Sequence, residues 1–401
     1  MPLDSECADR ISSVNYDEFQ GDHEIWEAIR AEPESVLSVT MAHCAVESPD
    51  AILRELSEEA LAAAKRNMAR LRGSPRVREM HDVRLVYEIE DPQRPGVRQI
   101  GLGGMIPTGH IATDHNPHGT VIRNEGVREY KARGRATVIE ATQAIIGAVN
   151  MAVPDREGRL LAALLSFADG RTPDYEAAGT AGTTHRIWIL AQGEGRELRA
   201  ILDQQPEAYV SDGNHRSAAV CMLGAPEFLG VYFPASTQTI QPYNRLVSLP
   251  AGDAWAQVEA ALGDDFRLVD GNRGGPYQPK SAHRTGLYTS ESGWREATVS
   301  ASAWDVPGAA ASIDHAVVQR TLFSRLGIEE EGDPGLTFVG ANKDAAWLQQ
   351  QVDAGRAGLA VTLPAVTMDQ FIAVCRQRKM MPPKSTWFEP KIRAGLVTAL
   401  L

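Results

Sequence analysis

Apolar positions along the chain recur at two spacings, and the alternation between them predicts the elements. From Asp50 to Leu71, residues Ile52, Leu53, Leu56, Leu61 and Met68 form one stripe at helical spacing, and the pattern stops at Gly73-Ser74-Pro75. Two strand-like runs follow, Val83 to Ile89 and Gln99 to Ile106, and the Pro/Gly-rich turn Asp91 to Gly96 between them predicts a hairpin. Arg123 to Asn150 reads as a helix broken near Gly134, with Val127, Val138, Ile139, Ile145, Ile146 and Val149 on its apolar side. Thr184 to Leu190 reads as a strand, Glu197 to Gln205 as a helix, and Phe228 to Phe233 as a buried strand. Pro250 to Pro307 is punctuated by Pro and Gly and reads as an insertion or linker with weak strands. Beyond it come a helix from Ile313 to Leu326, strands at Leu336–Val339 and Gly358–Leu363, and a helix from Met368 to Arg378. Strands alternating with helices predict an α/β (α+β) fold.

One stretch concentrates groups that do chemistry. The apolar run Ala208 to Val210 enters it, and a helical pattern (Ala218, Ala219, Met222, Leu223) leaves it, stopped by Gly224 and Pro226. Between them lies Ser211-Asp212-Gly213-Asn214-His215-Arg216-Ser217. Ser211 or Asp212 is expected to cap the helix, and Gly213 allows a tight turn that puts His215 and Arg216 at its positive end. A strand-turn-helix of this kind suits an anion, because N–H groups and dipole point the same way. Arg216 offers a planar fork to phosphate, and Asp212 an oxygen to a metal ion. The other reading is a capped helix with an exposed His and Arg; on pattern alone both stand.

Other candidates are weaker. Gly101-Leu102-Gly103-Gly104 lies inside the second predicted strand and lacks a following Lys-Ser/Thr, so it reads as a close-packing site. Thr108 to Gly119 holds His110, Asp114, His115 and His118, a set that could ligate a metal. With no helical or strand register to fix the spacing, a solvated loop is the simpler reading. Glu125 opens the predicted 123–150 helix, where the dipole favours a carboxylate. The run Met381 to Lys391 contains Pro382, Pro383 and Pro390 and cannot be a regular helix. There Lys384, Ser385, Thr386 and Lys391 could close over an anion while Trp387 and Phe388 pin the strap.

Length and composition narrow the class. The 401 residues suffice for two domains, and 43% hydrophobic with 23% charged residues is ordinary for a globular protein. A net charge of −12 argues against a nucleic-acid partner, whose usual footprint is a basic face. Cys7, Cys44, Cys221 and Cys375 are scattered without metal-ligand spacing and read as reduced thiols. The N-terminus shows no charged-then-apolar signal region and no apolar run approaches spanning length, so the expectation is a cytoplasmic protein without a membrane partner.

Asp212-Gly213-Asn214-His215-Arg216 resembles the Asp-Gly-His-His-Arg signature of the bacterial and archaeal domain-of-unknown-function family 1015. The resemblance continues through Pro242-Tyr243-Asn244-Arg245 and the Met381–Lys391 run, its most specific element. Upstream, Ile122-Arg123-Asn124-Glu125 with Lys131 and Arg135 is similar to the family's His-Glu segment. Two departures stand out: Asn214 replaces the first motif histidine, and Asn124 the histidine before the glutamate.

The signature turn is in turn similar to the nucleotide-phosphate turn of the ParB/sulfiredoxin-like fold, in which an archaeal enzyme phosphorylates free serine with a glutamate base. The resemblance thus implies a ParB/sulfiredoxin-like core over 81–250, preceded by a helical extension (1–80) and followed by a mixed α/β C-terminal region (251–401). It implies nucleotide-dependent phosphoryl transfer to a small hydroxyl-bearing metabolite, such as a hydroxy-amino acid, with Mg²⁺ and ATP or ADP as cofactors. Glu125, Asp212 and His215 would be catalytic, with Asp212 on the metal. Ser211, Gly213, Asn214, Arg216, Ser217, Arg123 and Lys384 would hold phosphate or nucleotide. The implied partners are a small substrate and a nucleotide, and a homodimer is allowed. A phosphate-ester or nucleotide hydrolase and a non-catalytic nucleotide-binding regulator remain open. Sulfiredoxin-type redox chemistry fits poorly, because Asn214 stands where that turn carries a cysteine.

Overall fold

The computed structural model describes residues 1–191, 193–328 and 333–401. Helices and mixed sheets form two units: Met1–Arg123, Val127–Gln238 and Pro390–Leu401 make the first, and Asn124–Gly126 with Thr239–Glu389 make the second.

Nine strands of the first unit are β1 (Arg84–Glu90), β2 (Arg98–Pro107), β3 (Val121–Ile122), β4 (Ala144–Ile146), β5 (Val149–Val153), β6 (Tyr175–Ala178), β7 (Thr184–Leu190), β8 (Ala208–Asp212) and β9 (Glu227–Pro234). Eight of them form one sheet in the order β3-β8-β5-β9-β2-β1-β7-β6, while β4 pairs with Thr398–Leu400. The predicted hairpin is present: β1 and β2 are antiparallel, with Val86 opposite Leu102. The β3–β8 and β5–β9 pairs are parallel and the rest antiparallel. Central strands covered on both faces read as continuous apolar runs, and Phe228, Phe233, Ile89, Ile100 and Ile187 are fully buried. Glu88 is buried among them, and its carboxylate is satisfied by Arg98 at 2.5 Å and Arg186 at 2.9 Å.

Two boundaries differ from the sequence expectation. The first long helix spans Glu58–Arg72 rather than starting at Asp50, because Ser57 accepts a hydrogen bond from the Ala60 amide and begins the helix there. The expected 123–150 helix covers only Glu129–Thr142. It ends at Gln143 in a left-handed conformation (φ +53°), and the β-branched residues beyond it build β4 and β5. A helix at Arg159–Ala168, with Leu160, Leu164 and Ala168 buried, adds to the predicted set.

In the second unit the strands are β10 (Thr239–Gln241), β11 (Asn244–Val247), β12 (Phe266–Leu268), β13 (Arg284–Thr289), β14 (Gly293–Val299), β15 (Leu336–Val339), β16 (Leu359–Thr362) and β17 (Trp387–Glu389). Six form an antiparallel sheet in the order β12-β14-β13-β16-β11-β15, and β10 pairs with β17. Pro250 to Pro307 is therefore no linker: it supplies β12, β13, β14 and the Ala254–Leu262 helix. Its Gly punctuation marks tight turns, such as the one that closes β13 on β14 at Thr289 and Gly293. The predicted 313–326 helix is α-helical over Asp314–Val318 and continues as a π-helical turn, Gln319–Phe323.

The glycines of β2 are packing sites. A Cβ on Gly101 would lie 2.5 Å from the Tyr232 carbonyl oxygen and 2.7 Å from the Phe233 ring. Gly101→Ala should therefore cost about 1–3 kcal/mol by overpacking. Urea denaturation read against the wild-type midpoint measures it, and an unchanged midpoint would show that the strand relaxes freely.

Candidate functional site

The turn anticipated from the sequence forms at the end of β8. Gly213 adopts φ +95°, the helix runs Asn214–Leu223, and it ends on Gly224 in the left-handed region. Neither Ser211 nor Asp212 caps it; no side chain does. Ser211 instead accepts from Gln238 Nε2 at 3.0 Å, and the Ser217 hydroxyl donates to the Asn214 carbonyl at 2.8 Å, both side chains being buried. Asp212 is drawn away from the helix terminus by Arg216, whose Nη2 donates to its Oδ2 at 2.5 Å.

Arg216 folds back over its own turn. A Cβ on Gly213 would lie 2.9 Å from Arg216 Nε and crowd the guanidinium, and the φ of +95° itself favours glycine. Arg216 Nη1 donates to Asn15 Oδ1 at 3.0 Å, and Nε is buried without a hydrogen-bond partner. Asn15 is 5% exposed and donates through Nδ2 to the Ile392 carbonyl at 3.0 Å. Across the β5–β8 ladder, Asn150 is the partner of Asp212, so the two side chains share a face. Asn150 is 2% exposed and its Oδ1 has no hydrogen-bond partner. Nothing local in the sequence marks Asn15 or Asn150; register and a contact over 201 residues bring them to the turn.

Arg123 directly follows β3, whose Ile122 pairs with Tyr209 of β8. Its Nε is also buried without a partner, and its charge counteracts the burial that pushes the Cys221 thiol up. Arg135 packs its guanidinium 3.6 Å from the Tyr16 ring centroid. The loop residues His110, Asp114, His115 and His118 are exposed, and among the described residues they form no cluster of metal-ligand geometry.

Glu125 and Lys384 belong to the second unit. There the Met381 amide donates to the Asn124 carbonyl at 2.9 Å, and Glu125 bridges Met381 in parallel, so the two stretches join backbone to backbone. Lys384, three residues on, has φ +57° and places Nζ 5.6 Å from the Tyr243 ring centroid. The Arg245 guanidinium is buried and donates to the carbonyls of Tyr243, Asn244 and Pro383 at 3.0, 3.2 and 3.2 Å. Tyr243 also stacks edge-on against Trp387 at 5.4 Å, and His315 Nε2 donates to its carbonyl at 3.1 Å. Three motifs far apart in the sequence thus meet in one unit: Asn124-Glu125, Tyr243-Asn244-Arg245 and Met381–Trp387. Burial, with Arg245 beside it, pushes His315 down to about 3.

The fold is mixed α/β, and its two signature-bearing units carry the elements described above. Residues 2–322 match the model of the family described as "Protein of unknown function (DUF1015)", and the chain belongs to that family. No curated protein matches it. Among solved structures it is similar to C-terminally truncated SbnI from Staphylococcus aureus, at 10% identity and TM-score 0.39, covering 72% of this chain and 84% of that one. A mutant free serine kinase in complex with AMP aligns at 11% identity and TM-score 0.41, covering 71% and 86%. A conserved hypothetical protein from Pyrococcus furiosus aligns at 12% identity and TM-score 0.39, covering 74% and 95%. No helix among the described residues is long and apolar enough to cross a membrane.

Asn15→Ala should lower stability by about 1–3 kcal/mol, since it leaves a charged donor of Arg216 unsatisfied; denaturant titration against wild type is the measurement. His315 yields a pH prediction. The unfolded chain takes up a proton near 6.5 while the folded unit resists until about 3, so stability falls as pH drops through that window. In His315→Gln, which keeps a donor for the Tyr243 carbonyl, the denaturation midpoint should decline less steeply between those pH values.

Proposed function

We propose that the chain binds a nucleotide at the Ser211–Ser217 turn and transfers a phosphoryl group to a small hydroxyl-bearing metabolite, a hydroxy-amino acid such as serine being the model acceptor. The observation that carries this reading is a helix start with no capping side chain, on Gly213 at φ +95°, with the Arg216 guanidinium folded over it. An uncapped helix start beside a fixed guanidinium favours a phosphate group over other ligands. The family's signature motif falls on this same turn, and its resemblance to nucleotide-phosphate turns of ParB/sulfiredoxin-like proteins supports the choice of nucleotide.

The residues present also fit Mg²⁺. Asp212 keeps one carboxylate oxygen outside its Arg216 hydrogen bond, and the Asn150 Oδ1 that shares its face is a buried acceptor without a partner. A carboxylate and an amide carbonyl are the hard oxygen donors this ion takes. When bound, Mg²⁺ would neutralise charge on the transferring phosphoryl group. Arg216 and His215 would orient the nucleotide phosphates, Asn214 would donate through its amide, and Arg123 would add positive charge on the neighbouring strand. Ser211 and Ser217 would keep the turn in shape through the bonds they already make. Glu125 is assigned the proton of the acceptor hydroxyl and Lys384 the neutralisation of substrate charge, on the strength of the family motifs that contain them. A cytoplasmic setting, where nucleotides are abundant, suits this chemistry.

Asn214 and Asn124 favour one second reading, a sensor that binds nucleotide without turning it over, because an amide cannot exchange a proton as the replaced imidazoles would. Calorimetric titration with ATP and ADP, with and without Mg²⁺, tests the binding reading: micromolar affinity in wild type that is lost in Arg216→Ala is expected. Absence of nucleotide binding in the folded wild-type protein would overturn it. Phosphate transfer to added serine and related alcohols that disappears in Glu125→Gln separates the kinase from the sensor, and phosphate release without an acceptor would mark a hydrolase.

A further inference from the structure

The four cysteines show no ligand spacing in the sequence, yet the fold of the first unit gathers one of them with two other donors. Asp22 is the first residue of the Asp22–Ala31 helix, and His43 and Cys44 lie on the short 3-10 turn Ala42–Cys44. A carboxylate oxygen of Asp22, a ring nitrogen of His43 and Sγ of Cys44 all lie within 4.8 Å of one another. No other group of three such residues does so among the described residues. His43 and Cys44 are buried, at 4% and 0% exposure, while the Asp22 side chain reaches solvent.

We propose that Asp22, His43 and Cys44 form a binding site for a divalent transition-metal ion of the zinc type, independent of the nucleotide reading. The His43 Nε2 to Asp22 Oδ1 separation is 3.4 Å, long for a hydrogen bond between these groups. Two donors about 2.0–2.1 Å from one tetrahedral zinc ion stand roughly 3.4 Å apart, so this edge already has the span a metal needs. The donor set is also selective: one thiolate, one imidazole and one carboxylate suit zinc-like ions rather than Mg²⁺ or Ca²⁺.

A cavity opens beside the three donors. Asp22, His43 and Glu55 line a cavity of 260 Å³. Cys44 packs with Ile25, Ile29, Leu37 and Met41, and the Leu53 amide donates to the His43 carbonyl at 3.0 Å. Three protein donors leave one position of a tetrahedral ion for water or a small ligand from the cavity, whose wall also carries Lys131 and Arg135.

The test is titration of the full chain, stripped with a chelator, with Zn²⁺ in competition with a chromophoric chelator and separately with Co²⁺. One equivalent of Zn²⁺ should bind, and Co²⁺ should produce a thiolate-to-cobalt charge-transfer band. Cys44→Ser should abolish that band. His43→Ala should weaken binding by more than the roughly 10–100-fold that an outer-shell partner costs. Folding of each variant is checked by circular dichroism; the wild-type cobalt spectrum needs no variant. No binding by wild type, no thiolate band, or a band retained in Cys44→Ser would each overturn the assignment, leaving a plain His–Asp contact beside a buried thiol.

Discussion

Arg216 organises the first unit's signature turn from inside. Its guanidinium binds Asp212 one helical turn back, lies against Gly213 where a Cβ would crowd it, and reaches Asn15 of the N-terminal segment. Both members of the ion pair are largely shielded, with side chains 14% and 20% exposed. A charge held that far from water is tolerated only while its partners stay in place. The pair therefore imposes the geometry of the strand end, the glycine and the helix start together. It also accounts for the missing side-chain cap, since the carboxylate that could have capped the helix faces the guanidinium instead.

The second unit uses a buried arginine differently. Arg245 takes three backbone carbonyls, two from its own motif and one from the Pro383 peptide. Those bonds hold the proline-rich strap against Tyr243, and the strap's own Trp387 and Phe388 are almost fully buried. The strap can then sustain Lys384 in a left-handed backbone conformation, which an unconstrained lysine rarely adopts. The contacts that pin the chain thereby also fix the backbone of Lys384. His315, forced neutral by burial and by Arg245, completes the polar shell of Tyr243.

Local chemistry was well encoded. The β1–β2 hairpin, the strands at Thr184–Leu190 and Leu336–Val339, and the Asn214–Leu223 helix with its glycine stop follow from periodicity and punctuation. Where reading failed, competing local signals were close in strength. Apolar spacing carried the first helix back to Asp50, but one serine hydroxyl decided its start at Ser57. Helical spacing also ran through Ile145, Ile146 and Val149, which their β-branched side chains and the available sheet partners turned into strands. Pro and Gly between residues 250 and 307 read as an insertion or a linker with weak strands, and the structure makes them turns between strands of a sheet.

The sequence by itself determined many of the elements, the signature turn and the motifs of the strap, because these rest on side-chain period, φ preference and the donors each residue owns. Tertiary structure alone decided which distant residues answer them. Asn15 meets Arg216, Asn150 faces Asp212, and Glu125 is joined to the Met381 strap through ladder register and chain return. It likewise brought Asp22 to His43 and Cys44, a grouping that no spacing rule could reveal. The physical reason is common to all four. Backbone pairing and apolar packing bring these segments together, and the polar groups are carried into contact by that folding rather than encoded in any short stretch.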